Sequence, residues 1–123
     1  MGRDLVDSVT KEWAVTNQAT AGTPTISKAA AAGVRHICSG ISISVAAGAT
    51  AQTPVAVVLR DGATGAGTIL GSWALATPVN GVAALNLTGL NIVGTVNTAM
   101  TLEFSGATAT AVVGSVNLFG YDN

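Results

Sequence analysis

Two residues that could act as a nucleophile and its base, Cys38 and His36, lie two positions apart in the chain. In a β-strand, residues two apart point to the same face, so the thiol and the imidazole can be neighbours. A protonated histidine lowers the pKa of a nearby thiol and so favours the reactive thiolate. Catalytic pairs are usually also oriented by a third group, and the sequence indicates none. We therefore expect a polar pair facing solvent or an interface, and no enzymatic activity.

Carboxylates are too sparse to suggest acid–base catalysis. Beyond residue 12 the acids are Asp61, Glu103 and Asp122. General acid–base chemistry needs such groups placed around one substrate. Asp61 precedes a glycine, as in many turns, and we expect it to pair with Arg60 at the end of a strand. We expect Glu103 to face solvent, so no catalytic residue is predicted.

The sequence indicates no metal and no cofactor. A single cysteine excludes an intrachain disulfide and a cysteine-based zinc site. Gly62, Gly65 and Gly67 lack the strand–loop–helix context and the lysine of a phosphate-binding loop. We therefore expect a protein that works through its surface.

Charge is scarce and unevenly distributed. Charged residues make up 9% of the 123 residues, against about 25% in ordinary soluble proteins. The net charge of −1 offers neither a basic face for nucleic acid nor a polybasic cluster for a membrane. Five of the charges lie in residues 1–12, so much of the remaining surface is expected to be covered by neighbours.

No export or membrane segment is expected. Acidic residues at positions 4 and 7 stand where a secretory signal would have its apolar core. No apolar run approaches the roughly 20 residues of a membrane-spanning helix. We expect synthesis in a reducing cytoplasm.

Residues 34–45 form the longest strand predicted by alternation, about 40 Å at 3.3 Å per residue. Its polar residues share one face and its apolar residues the other. The two sets are His36, Cys38, Ser42 and Ser44, and Ile37, Ile41, Ile43 and Val45.

The rest of the chain repeats this pattern in shorter pieces without a convincing helix. Six firm strands and two short ones are predicted, at 34–45, 53–60, 69–75, 82–88, 99–105 and 112–121, and at 13–16 and 25–28. Such a series predicts an all-β antiparallel sandwich, and eight strands favour a jelly roll. An immunoglobulin-like sandwich is the second choice, since the Cys–Trp–Cys spacing of true immunoglobulin domains is missing.

We divide the chain into an extended N-terminal arm, residues 1–12, and a sandwich domain, residues 13–123. The arm, the residue that follows it and the closing strand supply the residues that we expect to contact a partner. In the first segment the apolar residues recur at intervals of four, and the closing strand is apolar on both faces. These candidates are Leu5, Val9, Trp13, Val113, Phe119 and Tyr121.

Trp73 raises a second kind of function. An exposed tryptophan could stack on a sugar, as in lectin-like sandwiches. Trp73 shares its parity with Ile69 and Leu75, which favours a place in the core instead.

Several segments of the sequence resemble segments found in one protein family. The sequence is similar to the small jelly-roll decoration, or cement, proteins of tailed-bacteriophage heads, over roughly residues 28–121. The phrases that carry the resemblance are residues 33–42, 46–52, 58–67, 90–94 and 100–104, with Arg60-Asp61-Gly62-Ala63-Thr64-Gly65 as the most specific.

The resemblance implies a structural role in the virion. Such proteins bridge neighbouring major capsid proteins on the outside of the head and often associate as dimers or trimers. The alternatives are a tail, neck or fibre component and a receptor- or glycan-binding module.

Overall fold

The structure, a computed structural model, describes residues 11–19, 24–105 and 113–123. Regular structure within these ranges consists of β-strands, and they contain no helix long and apolar enough to cross a membrane. The strands are β1 (Lys11–Ala19), β2 (Ile26–Lys28), β3 (His36–Ala46), β4 (Gln52–Asp61), β5 (Thr68–Thr77), β6 (Val82–Leu87), β7 (Ile92–Val93), β8 (Met100–Ser105) and β9 (Val113–Asp122).

The strands form two antiparallel sheets. The first sheet has the order β1-β9-β3-β6, with β7 also paired to β3, and the second has the order β2-β8-β4-β5. Successive strands cross from one sheet to the other except at β4–β5, which form a hairpin, and β6–β7. Leaving aside the two-residue β7, this is an eight-stranded jelly roll. The predicted fold class is therefore confirmed.

The proposed boundary of the N-terminal arm falls close to the start of β1. That strand begins at Lys11, so the last two residues assigned to the arm belong to it. Leu5 and Val9 lie outside the described residues, and the arm itself stays a prediction.

The core lies between the sheets and is built by alternate residues of the long strands. Its fully buried members come from β3, β4, β8 and β9. They are Cys38, Ile41, Ile43, Val57, Leu59, Met100, Leu102, Val116 and Leu118.

A β-bulge in β3 changes which residues face this core. The register against β9 pairs Cys38 with Gly120 and Gly40 with Phe119, so Ser39 is an extra residue. Before the bulge the inward positions are His36 and Cys38, and after it they are the isoleucines. The expectation that His36 and Cys38 share a face with Ser42 was therefore wrong.

The loop between β4 and β5, residues 62–67, covers the part of the outer face of the second sheet where Thr101 and Glu103 of β8 lie. Glu103 lies beneath it, only 6% exposed, so the predicted solvent-facing position was wrong. Its carboxylate accepts hydrogen bonds from Arg60 Nε and from the Gly65 N–H, the latter at 3.1 Å. The Thr101 hydroxyl donates to the Gly62 carbonyl at 2.8 Å. The loop is thus fastened to the sheet by buried polar groups.

Arg60 therefore pairs with Glu103 and not, as predicted, with Asp61. The Asp61 carboxylate instead accepts hydrogen bonds from the backbone N–H and the hydroxyl of Thr95. It ties the end of β4 to the loop between β7 and β8.

Trp73 packs against the core as predicted, but its supposed neighbour Ile69 does not. A second irregularity pairs Gly71 with Leu59 and Ile69 with Arg60, which makes Leu70 the extra residue in β5. Leu70 consequently packs on the core while Ile69 is 53% exposed. The Trp73 ring lies over Gly71, where a Cβ would come within 2.8 Å of it.

The buried Arg60–Glu103 pair yields a stability prediction. Glu103→Leu should destabilise the protein by about 3 kcal/mol, because it leaves a largely buried guanidinium without its partner. The double variant Arg60→Met/Glu103→Leu should recover much of that loss, since neither charge remains to be solvated. Urea unfolding of the wild type and the two variants measures both changes. A loss below about 1 kcal/mol in the single variant would mark the pair as an ordinary surface contact.

Candidate functional site

His36 is buried and sits in a polar cluster at one end of the sandwich. Its Nδ1 lies 2.6 Å from the Asp122 carboxylate and its Nε2 lies 2.8 Å from the Ala29 carbonyl oxygen. A carbonyl only accepts, so Nε2 is the donor in that bond. The Trp13 indole donates to the same carboxylate at 2.7 Å and meets the imidazole edge to face. These contacts join β1, β3, β9 and the segment that follows β2.

Cys38 is not available to this histidine as a nucleophile. The thiol is fully buried and donates to the Gly40 carbonyl at 3.6 Å, across the bulge. Burial raises the pKa of the Cys38 thiol to about 11, and the bond to Gly40 offsets this only in part. The predicted solvent or interface position of the pair was wrong for both residues.

The geometry of this cluster suits a structural role. We call the His36, Asp122 and Trp13 side chains together with the Ala29 carbonyl the clasp. Lys28 Nζ lies 5.6 Å from the centre of the Trp13 ring, so a cation covers the indole from the β2 side. The described residues contain no group of three or more His, Cys, Asp or Glu side chains that could hold a metal ion. What the cluster does physically is hold the beginning of β1 and the end of β9 to β3.

The ionisable residues of the described strands collect toward this same end, which we call the charged end. Lys11 is paired with Asp122, and Asp122 with His36, in neighbouring strands. Asp61, at the end of β4, accepts a hydrogen bond from the Thr95 N–H, and the neighbouring Gly94 N–H donates to the His36 carbonyl. These charged residues therefore lie together at one end of the long axis of the sandwich.

The opposite end contains no charged residue among its described positions. We call it the uncharged end and define it by residues 46–51, 77–82 and 113. Val82 and Val113 flank Ala46 on the outer face of the first sheet, and the two valines are 68% and 52% exposed. Val79, in the turn after β5, is 54% exposed. Three large apolar side chains therefore face solvent on one uncharged surface.

Backbone hydrogen bonds fix the loops of the uncharged end to each other. The Ala47 N–H donates to the Gly81 carbonyl at 2.9 Å, and the Asn80 N–H donates to the Gly48 carbonyl at 2.8 Å. Asn80 has a positive φ of 52°, which asparagine tolerates better than most residues. The valines are consequently held on connected backbone.

The outer face of the first sheet is polar and almost free of charge. Along β1, β9, β3 and β6 its central rows are serine, threonine, asparagine and glutamine side chains. These residues are Thr16, Gln18, Ser42, Ser44, Asn86, Ser115 and Asn117. Phe119 stands on the same face, 40% exposed, beside an open groove of about 420 Å³ that Glu12 and Ser39 also line.

The candidate partner residues of the closing strand do not form one patch. Val113 lies at the uncharged end and Tyr121 near the charged end, about 26 Å apart at 3.3 Å per residue. Phe119 lies between them, and the Tyr121 hydroxyl donates to the Asn91 side chain at 3.2 Å. Trp13 is turned toward the clasp. Their contact with a partner stays a prediction.

Val79 and Val82 were missed by sequence reasoning, although a signal existed. Val82 has the opposite parity to Leu85 and Leu87, which places it away from the core once the strand is assigned. Val79 lies in the turn from Pro78 to Gly81. A side chain there belongs to no strand and is therefore not directed into the core.

Comparison with known proteins finds similarity of fold only. No family model and no curated protein sequence matches the chain. Solved structures similar to it include a CBM4 carbohydrate-binding module, at 10% identity and a TM-score of 0.49 over 80% of this chain, which spans 59% of that structure. The coat protein of Tobacco streak virus matches at 8% identity and a TM-score of 0.41, over 90% of this chain and 85% of that one.

A third structure, a Bacillus endospore appendage of a disulfide-linked pilus family, matches at 16% identity and a TM-score of 0.31, over 87% of this chain and 85% of that one. At these identities the likeness concerns the β-sandwich.

The buried thiol gives a prediction on reactivity. The pKa of about 11, against the ordinary 9.0, leaves about a hundredfold less thiolate near pH 8 than in the unfolded chain. Ellman's reagent should therefore label the native protein at least that much more slowly than the protein in urea. The native rate should rise as the pH approaches 11. Equal rates in both states at pH 8 would show that Cys38 is accessible.

Proposed function

We propose that this chain is a structural virion protein, a decoration or cement protein that bridges major capsid proteins on a phage head. The observation that carries the proposal is the uncharged end, where Val79 in the turn after β5 and Val82 and Val113 at the starts of β6 and β9 are exposed. In this proposal it docks on the capsid. The protein would be made in the host cytoplasm and would reside in the virion.

The chemistry of the uncharged end suits contact with another protein. The cores of protein interfaces are depleted of charge and enriched in apolar groups. Full burial of a valine-sized side chain is worth roughly 1.5 kcal/mol or more. Three such side chains on fixed backbone would give each copy a modest affinity, because little loop entropy is lost on binding.

A capsid lattice makes modest affinity sufficient. The lattice presents the same site many times, and a decoration protein that joins two neighbours gains from the high effective concentration of its second contact. The sparse surface charge also agrees with a protein that spends its functional life covered by neighbours.

Capsid binding tests the proposal. Heads of the phage that encodes this chain, stripped of the protein, should co-sediment with the wild type in a saturable manner. Val82→Asp should weaken this binding tenfold or more, which corresponds to about 1.4 kcal/mol, because it places a charge in the contact. Val96→Asp is the matched control, since Val96 is also exposed but lies in the loop between β7 and β8 at the charged end.

Two results would contradict this assignment. Heads that do not bind the wild type, while tails or necks do, would favour the tail or neck alternative. Equal effects of the two valine variants would remove the uncharged end from the interface.

The groove beside Phe119 supports a second candidate function, glycan binding. An aromatic ring next to hydroxyl and carboxylate groups is a typical arrangement for holding a small polar ligand in a concave site. Here the ring belongs to Phe119, and Ser39 and Glu12 supply the polar groups.

Glycan binding would give a different mutational result. A glycan bound in the groove should be released by Phe119→Ala and retained by Val93→Ala, which truncates another exposed apolar residue of the same sheet. Calorimetric titration with the best ligand from a glycan array measures both. If no glycan on the array binds the protein, glycan binding is excluded as its function.

A further inference from the structure

Strand β5 forms a long edge of the second sheet in the part of the chain that the structure describes. It runs for ten residues and, among the described strands, pairs only with β4. Alternate residues of an edge strand direct their N–H and C=O groups away from the sheet, so β5 offers a row of backbone donors and acceptors to another strand.

The other edges are shorter or carry charge. Strand β2 has three residues and β6 has six. Strand β1 has nine but begins with Lys11 and Glu12. Natural proteins commonly protect edges with lysine, with proline or by shortening the strand. Bulges serve the same purpose, and the irregularities of β5 lie at Leu70 and near Thr77, outside the regular stretch 71–75. The strand has neither lysine nor proline, and the sequence holds no charged residue from position 62 to position 102.

The part of β5 beyond its bulge has side chains that permit close approach. From Gly71 to Leu75 the strand is in regular register with β4. Its exposed side chains there and in the next two residues are small: Ser72, Ala74 and Ala76. Trp73 and Leu75 point to the core side and are half-buried, so a strand added at this edge would cover them further.

We propose that β5 pairs antiparallel with β5 of a second copy across a twofold axis, which joins two four-stranded sheets into one of eight strands. A second copy fits because a twofold contact places the same surface against itself, so any charge on it would meet its own kind. An edge that is uncharged, small-sided and regular is self-complementary. The proposal rests on this edge alone and holds whatever the capsid partner is.

The mass in solution tests the proposal. Light scattering after size exclusion should give the wild type twice the chain mass of 12.1 kDa. Ala74→Lys should return the mass to that of one chain, since it places two lysines close to the axis, where their like charges repel. Ala14→Lys is the matched control, because Ala14 is an exposed alanine on the edge strand β1 of the other sheet. It should keep the doubled mass.

Other results overturn the inference. A wild type that has the mass of one chain at every concentration leaves β5 unpaired. A doubled mass that survives Ala74→Lys, or that is lost in Ala14→Lys, assigns the contact to another surface. Circular dichroism of each variant shows whether it retains the fold.

Cysteine scanning keeps the test decisive if Ala74→Lys does not fold. Single cysteines are placed at 72, 74 and 76 and oxidised mildly, with Cys38 left in place because it is buried. In an antiparallel twofold pair one of these positions lies nearest the axis and should form a disulfide-linked dimer most efficiently, while Ala14→Cys should not. Equal and weak crosslinking at all four positions would contradict the pairing.

Discussion

The extra residue in β3 is the constraint on which the rest of the structure depends. Strand β3 is central in the first sheet and pairs with β9, β6 and β7, so its register sets the faces of its neighbours. Because Ser39 is inserted, one end of the strand directs His36 into the sandwich while the rest directs isoleucines into it. Glycine at position 40 makes this bulge feasible, since a Cβ there would lie 2.8 Å from the Leu87 carbonyl oxygen.

The separation of the two ends follows from this arrangement. At one end the bulge admits an imidazole, which needs polar partners when buried and finds them in Asp122 and the Ala29 carbonyl. At the other end the same strand finishes at Ala46, which lies between two exposed valines on the outer face. Strand β3 therefore contributes to both ends of the sandwich. One end is polar and held by hydrogen bonds, and the other exposes apolar side chains to solvent.

The sequence predicted eight of the nine described strands and their approximate bounds, because alternation with period two survives wherever one face is buried. The two-residue β7 was too short to show this alternation. It did not predict the faces of His36 and Cys38, since a bulge is defined by the register with β9 and not by β3 alone. Gly40 inside a strand was the available hint. Glu103 was assigned to the correct face, but a loop that folds back over that face cannot be found from local pattern. The uncharged end could be found only after topology had brought residues 46, 79, 82 and 113 together.

The two proposed contacts have a geometric relation that favours bridging. Strand β5 runs from the charged end to the uncharged end, so antiparallel pairing of two copies would direct their uncharged ends away from each other. Because the pairing lies at residues 71–77, in the half of β5 nearer the uncharged end, the two apolar docking surfaces would lie on either side of the twofold axis and face opposite ways along the strands. A dimer lying flat on a shell would present an apolar surface to a neighbouring subunit on each side, whereas a single copy would present one. The edge of β5 would thus convert a protein that binds a capsid subunit into one that links two, which is what stiffening a shell requires.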